Sequence, residues 1–236
     1  MKKWLMGQVD QNLFNLVNLK NKLLMRDYSN KYYSQSGEDI ILSQIFKNKS
    51  DGFYVDVGAY HPFHYSNTYL LYKRGWRGIN IDPNPKSIQL FDRHRDNDVN
   101  LNIGVSSEQS KLTYHIYNHQ SYNTFSGTVA EENKKLKHLK LLEKENVETR
   151  LLREVLNKYA NNHKIDLLNI DAEGMDLEVL KSNDWNKFRP TVVVVENSSF
   201  NLEDSQSDKI YKFMKEENYK LYATTGLSLI FLNKNG

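Results

Sequence analysis

No cysteine occurs in the 236 residues. A disulfide framework and a thiolate metal site are therefore excluded, and the chain suits a reducing compartment. No apolar run approaches the roughly 20 residues that a membrane span needs. The opening MKKWLMGQVDQ carries two lysines but lacks the apolar stretch of a secretory signal, so the expected location is cytoplasmic. An excess of one charge is lacking as well: 32 basic residues face 29 acidic ones, a net +3. That balance points away from nucleic acid and from an anionic membrane. The basic run KKLKHLKLLEK (134–144) reads as a solvated face. There is no internal repeat, no low-complexity segment and no GxGxxG dinucleotide signature.

The composition is that of a globular chain able to bury a sizeable core, 39% hydrophobic and 26% charged, and its length suits one large domain with a small extension. Residues 1–30 are assigned to an N-terminal helical extension and 31–236 to the main domain. In QNLFNLVNLKNKLLM (11–25) the apolar positions 13, 14, 16, 17, 19, 23 and 24 follow helical spacing. The segment reads as a docking helix or a homo-oligomer contact. Attachment to the inner face of a membrane is the alternative, disfavoured by a polar face of Asn rather than Lys and Arg.

SQSGEDIILSQIFK (34–47) predicts a helix capped by Ser36, with Glu38 and Asp39 in a first turn that favours negative charge. A rhythm follows. FYVDVGA (53–59), GINIDPNP (78–85), VNLNIGVSS (99–107), IDLLNIDAEG (165–174) and TVVVVEN (191–197) read as buried strands. Between them NTYLLYKRG, KSIQLFDRHR, RLLREVLNKYA capped by Thr149, and MDLEVLKS read as helices. KLTYHIYN (111–118) reads as an added strand, and 119–148 as an irregular polar insertion, placed near 118–148 on the substrate side. A helix over 204–218 and a hairpin around Gly226 close the chain. Near-continuous apolar strands alternating with helices predict an α/β fold: a mostly parallel sheet with helices on both faces and a terminal antiparallel hairpin.

In such sheets ligands bind at the carboxyl ends of the strands. Four strand ends here carry acids: Asp56 before Gly58, Asp82, Asp171 with Glu173, and Glu196 with Asn197. One such acid is often a helix cap, but four along one edge repel one another unless a ligand or cation is present. Gly58 permits a tight turn and close approach to a ligand. Asp82 lies 24 residues beyond it, near the spacing at which an acid reaches ribose hydroxyls. The loop GAYHPF has no second glycine, so a nucleoside cofactor without a pyrophosphate fits better, and S-adenosylmethionine is such a cofactor.

SQSGEDIIL, GFYVDVGAYHPFHYSNTYLLYKRGWRGINIDPNP, LNIGVSS, YNTFS and DLLNIDAEGMDLEVL, in this order over roughly 32–198, resemble the FkbM family of S-adenosylmethionine-dependent methyltransferases. The resemblance implies a Rossmann-like seven-stranded methyltransferase sheet. It places the methionine part of the cofactor at Asp56, Gly58 and Ala59, next to Tyr60. The ribose falls at Asp82 with Pro83, and the adenine between Val105 and Ser106. Gln35 and Glu38 would close over the cofactor. The loop reads Tyr60-His61-Pro62 where many members carry a further glycine. The implied reaction is methylation of a hydroxyl of a carbohydrate, a surface-glycan sugar or its activated precursor. Methylation of a secondary metabolite is an alternative. So is a non-catalytic cofactor-binding partner in a glycan-assembly complex, with the N-terminal helix as the contact. A nicotinamide-dependent oxidoreductase on a similar sheet is the rival that the missing GxGxxG disfavours.

Transfer to a hydroxyl needs a base or a metal. His61 and His64, after the first strand, are base candidates, with a surface histidine of no role as the plain alternative. Asp171, Glu196 and Asn197 are similar to the acid and acid-amide pair with which catechol-type O-methyltransferases bind a divalent cation, with Glu196 where that pattern has Asp. Oxygen ligands of this kind suit magnesium or manganese. The other reading is that Glu196 and Asn197 cap or bind substrate directly. Glu173 is a catalytic or substrate ligand, or a helix cap. Tyr122, Asn123 and Thr124, in the insertion, are expected with His64 and Glu196 to line the acceptor site.

Overall fold

The computed structural model describes residues 15–20 and 31–234, and contacts divide the chain between Tyr32 and Tyr33. Residues 15–20 are helical. The rest of the helix expected over 11–25 lies outside the described residues.

In the larger unit the apolar runs become strands. They are β1 (Phe53–Val57), β2 (Arg77–Ile81), β3 (Val99–Leu101), β4 (Gly104–Val105), β5 (Lys111–Tyr117), β6 (Leu141–Arg150), β7 (Leu167–Ile170), β8 (Val192–Glu196), β9 (Tyr219–Thr224) and β10 (Ser228–Asn233). Seven form one sheet in the order β3-β2-β1-β7-β8-β10-β9. The four pairings among β3, β2, β1, β7 and β8 are parallel, and β10 lies antiparallel between β8 and β9. This is the expected seven-stranded sheet with its terminal hairpin.

Side-chain alternation divides the core into two layers. Val55, Val57, Ile79, Ile81, Leu168, Ile170, Val193 and Val195 face one way. They pack on α5 (Leu152–Tyr159), α6 (Asp176–Lys181) and α7 (Lys209–Glu216). Tyr54, Leu167, Val192, Val194 and Ile230 face the other way, against Leu42 of α1 (Glu38–Ile45) and Leu71 of α2 (Tyr69–Tyr72). Two further helices are α3 (Pro85–His94), capped by the Asn84 side chain, and α4 (Gly127–Asn133), capped by Ser126. Among the described residues no helix is long and apolar enough to cross a membrane.

Local expectations fail where the partner of a polar group is remote. Ser36 does not cap α1; the N-cap is Gly37, at φ 88°. The hydroxyl at work is that of Ser34, which donates to Asp39 at 2.8 Å and accepts from Gly37 N at 3.0 Å. Thr149 lies inside β6, donating to Glu108 O and Ser110 O, while the first turn of α5 donates from Leu152 N to Ser182 Oγ at 2.9 Å. The helix expected over 204–218 is divided: a 3-10 turn covers Leu202–Ser207, and extended Asp208 (ψ 131°) caps α7.

The expected third strand is also divided, since β3 joins the main sheet and β4 pairs in parallel with β6 in a second, three-stranded sheet. The insertion is not irregular. It holds α4 and most of β6, which runs antiparallel to β5 from Lys111↔Glu148 to Tyr117↔Leu141. Nearly every residue of β6 is exposed, so it had no apolar alternation to reveal it. Its order comes from backbone pairing with β5.

Leu42 is fully buried and Leu142 is 65% exposed. Leu42→Ala is expected to lower stability by about 2–5 kcal/mol, and Leu142→Ala by less than about 0.5 kcal/mol. Urea unfolding followed by circular dichroism measures both. Similar losses at the two sites would contradict this assignment of the core.

Candidate functional site

The strand register builds the site. Val57 pairs with Ile81 and with Ile170, and Ile170 pairs with Val195. The residues that follow, Gly58, Asp82, Asp171 and Glu196, leave four neighbouring strands from one row. Strand order reverses at β1, which opens a crevice at this edge. A pocket occupies it, with an empty volume of about 890 Å³. Gly58 has φ 76°, and a Cβ there would lie 1.7 Å from Asp171 O. Only glycine lets the exits of β1 and β7 pass each other. Tyr60, Tyr65 and Glu173 have φ of 57°, 55° and 48°, and all three line the pocket. Non-glycine residues in this region cluster where the surroundings over-determine them, typically at sites.

One half of the pocket holds Gln35, Asp56, Gly58, Ala59, Tyr60, Asp82, Pro83 and Val105 together. Asp56 is buried and accepts from Thr68 Oγ1 at 2.6 Å and from Asn169 Nδ2 at 2.8 Å. Burial raises its pKa; the Thr68 hydrogen bond and the Arg95 charge oppose the rise. Asp82 accepts from Tyr60 N and Asn84 N, both at 2.8 Å, and burial pushes it up to about 6. Glu38 lies elsewhere: its carboxylate accepts from Ser36 N, Thr225 Oγ1 and Ser228 Oγ, tying α1 to the β9–β10 hairpin. Ser106 is buried and donates its N–H to Arg150 O; it is not among the lining residues.

The other half is acidic at Asp171 and Glu173. Glu196 is not among the lining residues, but it, Asp171 and Glu173 each offer an oxygen within 4.8 Å of the others. Asp171 Oδ1 is buried with no donor, and a hydrogen bond between Asp171 and Glu196 exists only when one of them carries a proton. Burial pushes Glu173 and Glu196 each up to about 8, helped by the neighbouring acids. Burial and then Glu196 hold Asp171 well above the usual carboxylate range. Asp176 accepts from Ala172 N and Gly174 N, which fastens the turn between β7 and α6. Thr124 lines the pocket and donates to Glu173 O at 2.7 Å. Asn123 lines it too, while its Oδ1 accepts from Tyr117 N. Tyr122 is not among the lining residues, and its carbonyl accepts from Asn133.

Asn197 stands apart from the acids. Its amide donates to Asp208 at 2.8 Å and accepts from Ser199, because it leaves β8 one residue after Glu196 and is held by the cap of α7. Glu173 is the third oxygen donor of the group. The histidines stand apart as well. His61 Nδ1 accepts from Phe63 N and His64 N, burial and then His64 lower its pKa, and neither ring lines the pocket.

Among the lining residues that sequence reasoning missed are Tyr65, Asn67, Tyr114, Phe125 and Asn169. Asn169 left a signal, as a lone amide inside the buried strand LLNI. It bridges Asp56 and Asn67, whose Nδ2 donates to Asn169 Oδ1 at 2.9 Å. The other four sit in loops and in β5, where nothing local marks them.

The profile of one protein family, described as the methyltransferase FkbM domain, matches residues 56–221. No curated protein and no solved structure matches the chain.

Glu173 and Glu196 stay protonated in the fold up to about pH 8, whereas unfolded carboxyls release the proton near 4.5. Between these values the folded state binds more protons, so stability falls as pH rises. Their contribution is fully present below about 4.5 and lost as pH passes about 8. The melting temperature is expected to drop from pH 6 to pH 9, and Glu196→Gln is expected to flatten that drop. Melting curves across the range test it; an unaltered slope in the variant removes Glu196 from the cause.

Proposed function

Since the chain belongs to the FkbM methyltransferase family, we propose that it moves a methyl group from S-adenosylmethionine to a hydroxyl of a carbohydrate, a surface-glycan sugar or its activated precursor. The observation that carries this reading is the row of strand ends that brings Gly58, Asp82 and Asp171 into one pocket. The cofactor half suits a nucleoside with an amino-acid tail. Each Asp82 oxygen accepts one backbone N–H and keeps a second lone pair for a ribose hydroxyl. Ile81, Ile103 and Val105 offer apolar walls to a flat base. The exit of Gly58 and the Asp56 carboxylate face the tail.

When bound, S-adenosylmethionine supplies a methyl carbon that is already electrophilic. The chain must hold an acceptor hydroxyl in line with it and take the proton. Glu173 suits the second task, because a base works best with a pKa near the working pH and burial brings this one to about 8. Asp171 orients the hydroxyl from the same side. Gln120, Ser121, Asn123 and Thr124, with the rings of Tyr65 and Phe125, offer hydrogen bonds and apolar faces to a polyhydroxylated acceptor. The spacing of Asp171, Glu173 and Glu196 favours a second reading of the acidic half. Magnesium or manganese held by the three would bind two acceptor oxygens and lower the pKa of all three carboxyls.

Calorimetric titration with S-adenosylhomocysteine is the first test, repeated after chelation and after adding magnesium or manganese. Wild type is expected to bind in the micromolar range, and Asp82→Ala at least about tenfold more weakly, a loss of about 1.4 kcal/mol. Unchanged affinity would move the cofactor out of this pocket. Asp171→Asn is expected to abolish methyl transfer while sparing S-adenosylhomocysteine binding. Retained transfer would remove Asp171 from the mechanism.

A further inference from the structure

Behind the cofactor half lies a buried cation. Arg95 follows α3 directly and is fully buried. No carboxylate among the described residues pairs with it directly. Its guanidinium donates instead to neutral oxygens: Nη1 to Tyr54 Oη at 3.1 Å and Thr68 Oγ1 at 2.8 Å, Nη2 to Pro62 O at 2.6 Å and Ser66 Oγ at 2.9 Å. Two of these oxygens pass the interaction on. Tyr54 Oη donates to Asp98 Oδ2, and Thr68 Oγ1 donates to Asp56 Oδ2 at 2.6 Å. Buried charges persist only when balanced and fully hydrogen-bonded. Here one guanidinium, whose Nε alone has no partner, is balanced by buried Asp56 and half-buried Asp98, each one hydroxyl away. The rings of Phe91, Tyr72 and Tyr69 surround it, with centroids at 5.0, 5.1 and 5.6 Å.

The recipients matter for function. Pro62, Ser66 and Thr68 belong to the segment that carries Tyr65, Ser66 and Asn67 into the pocket, and Asp56 lines the same pocket. That segment has no strand to hold it, and α2 begins only at Tyr69. The planar fork of arginine reaches both ends of it at once, which the single ammonium of a lysine cannot do.

We infer that Arg95 is a positioning residue of the cofactor pocket: it holds the 62–68 segment against the sheet and, through the Thr68 hydroxyl, orients the Asp56 carboxylate. The inference rests on the cofactor reading above. It also explains why Asp56, alone of the pocket acids, is served by a nearby cation. The charges that face Asp56 are Arg95 and Asp98, with Asp82 and Asp171 beside it at neighbouring strand ends. Of these only Arg95 favours its ionised form. Loss of the Thr68 hydroxyl therefore raises the pH at which Asp56 becomes ionised.

Arg95→Ala would strand the Tyr54 hydroxyl in the core, so the test uses Arg95→Lys and Thr68→Val, each checked for folding by circular dichroism. Two readouts are taken: S-adenosylhomocysteine affinity by calorimetry from pH 5.5 to 8.5, and amide hydrogen exchange of residues 62–69 without cofactor. Thr68→Val is expected to move the acid limb of binding up by about one pH unit, which is about tenfold weaker binding below the limb. Arg95→Lys is expected to speed exchange at Ser66 and Tyr69 by about tenfold and to weaken binding. Should Arg95→Lys fail to fold, the Thr68→Val profile decides.

Wild-type exchange in folded Arg95→Lys would overturn the inference. So would faster exchange with wild-type affinity and pH profile in both variants, since Arg95 would then serve stability alone. If wild type binds no S-adenosylhomocysteine, the cofactor reading fails by itself, and the exchange measurement still judges the hold of Arg95 on the segment.

Discussion

The hydrogen-bond register of the parallel strands is the constraint on which the site depends. Once Val57 is level with Ile81 and Ile170, and Ile170 with Val195, Gly58, Asp82, Asp171 and Glu196 must leave the sheet side by side. A slip of one residue in any pairing would turn that strand's side chains to the opposite face. The alternation of Val and Ile between two packed layers makes such a slip costly. The apolar core thus holds the polar edge in place without touching a ligand.

The charge distribution follows from this geometry. Asp56, Asp82, Asp171, Glu173, Asp176 and Glu196 share one end of the sheet, and burial raises the pKa of every one. Arg95 is the only fully buried cation among the described residues, and it serves the Asp56 side. The two halves of the pocket differ accordingly. Near β2 and β1, backbone N–H groups, hydroxyls and a guanidinium hold the carboxylates in fixed positions. Near β7 and β8, three carboxyls crowd together with no cation and an unpartnered oxygen on Asp171. That half therefore holds its protons to higher pH than free carboxyls do.

Part of the site was readable along the chain. The acids at 56, 82, 171 and 196 end apolar runs, and strand ends are where ligands bind in such sheets. Glu173 was readable as well, two residues beyond Asp171. Asn197 is adjacent in sequence to Glu196, but its amide is engaged by Asp208 and Ser199. His61 misled because its ring nitrogen serves its own loop, accepting from Phe63 N and His64 N. Arg95 left no local mark, since an arginine at the end of a helix usually lies in solvent.

The sequence by itself determined the parallel core, the terminal hairpin and the row of acids, because apolar periodicity and strand-end residues are local properties. Tertiary structure alone decided three things. It turned polar residues 141–150 into a strand, since backbone pairing with β5 needs no apolar pattern. It brought Glu173 beside Asp171 and Glu196. It enclosed Arg95 behind Asp56, linked through Thr68. Each depends on partners remote in sequence, and a side chain's surroundings exist only once those partners have been brought together.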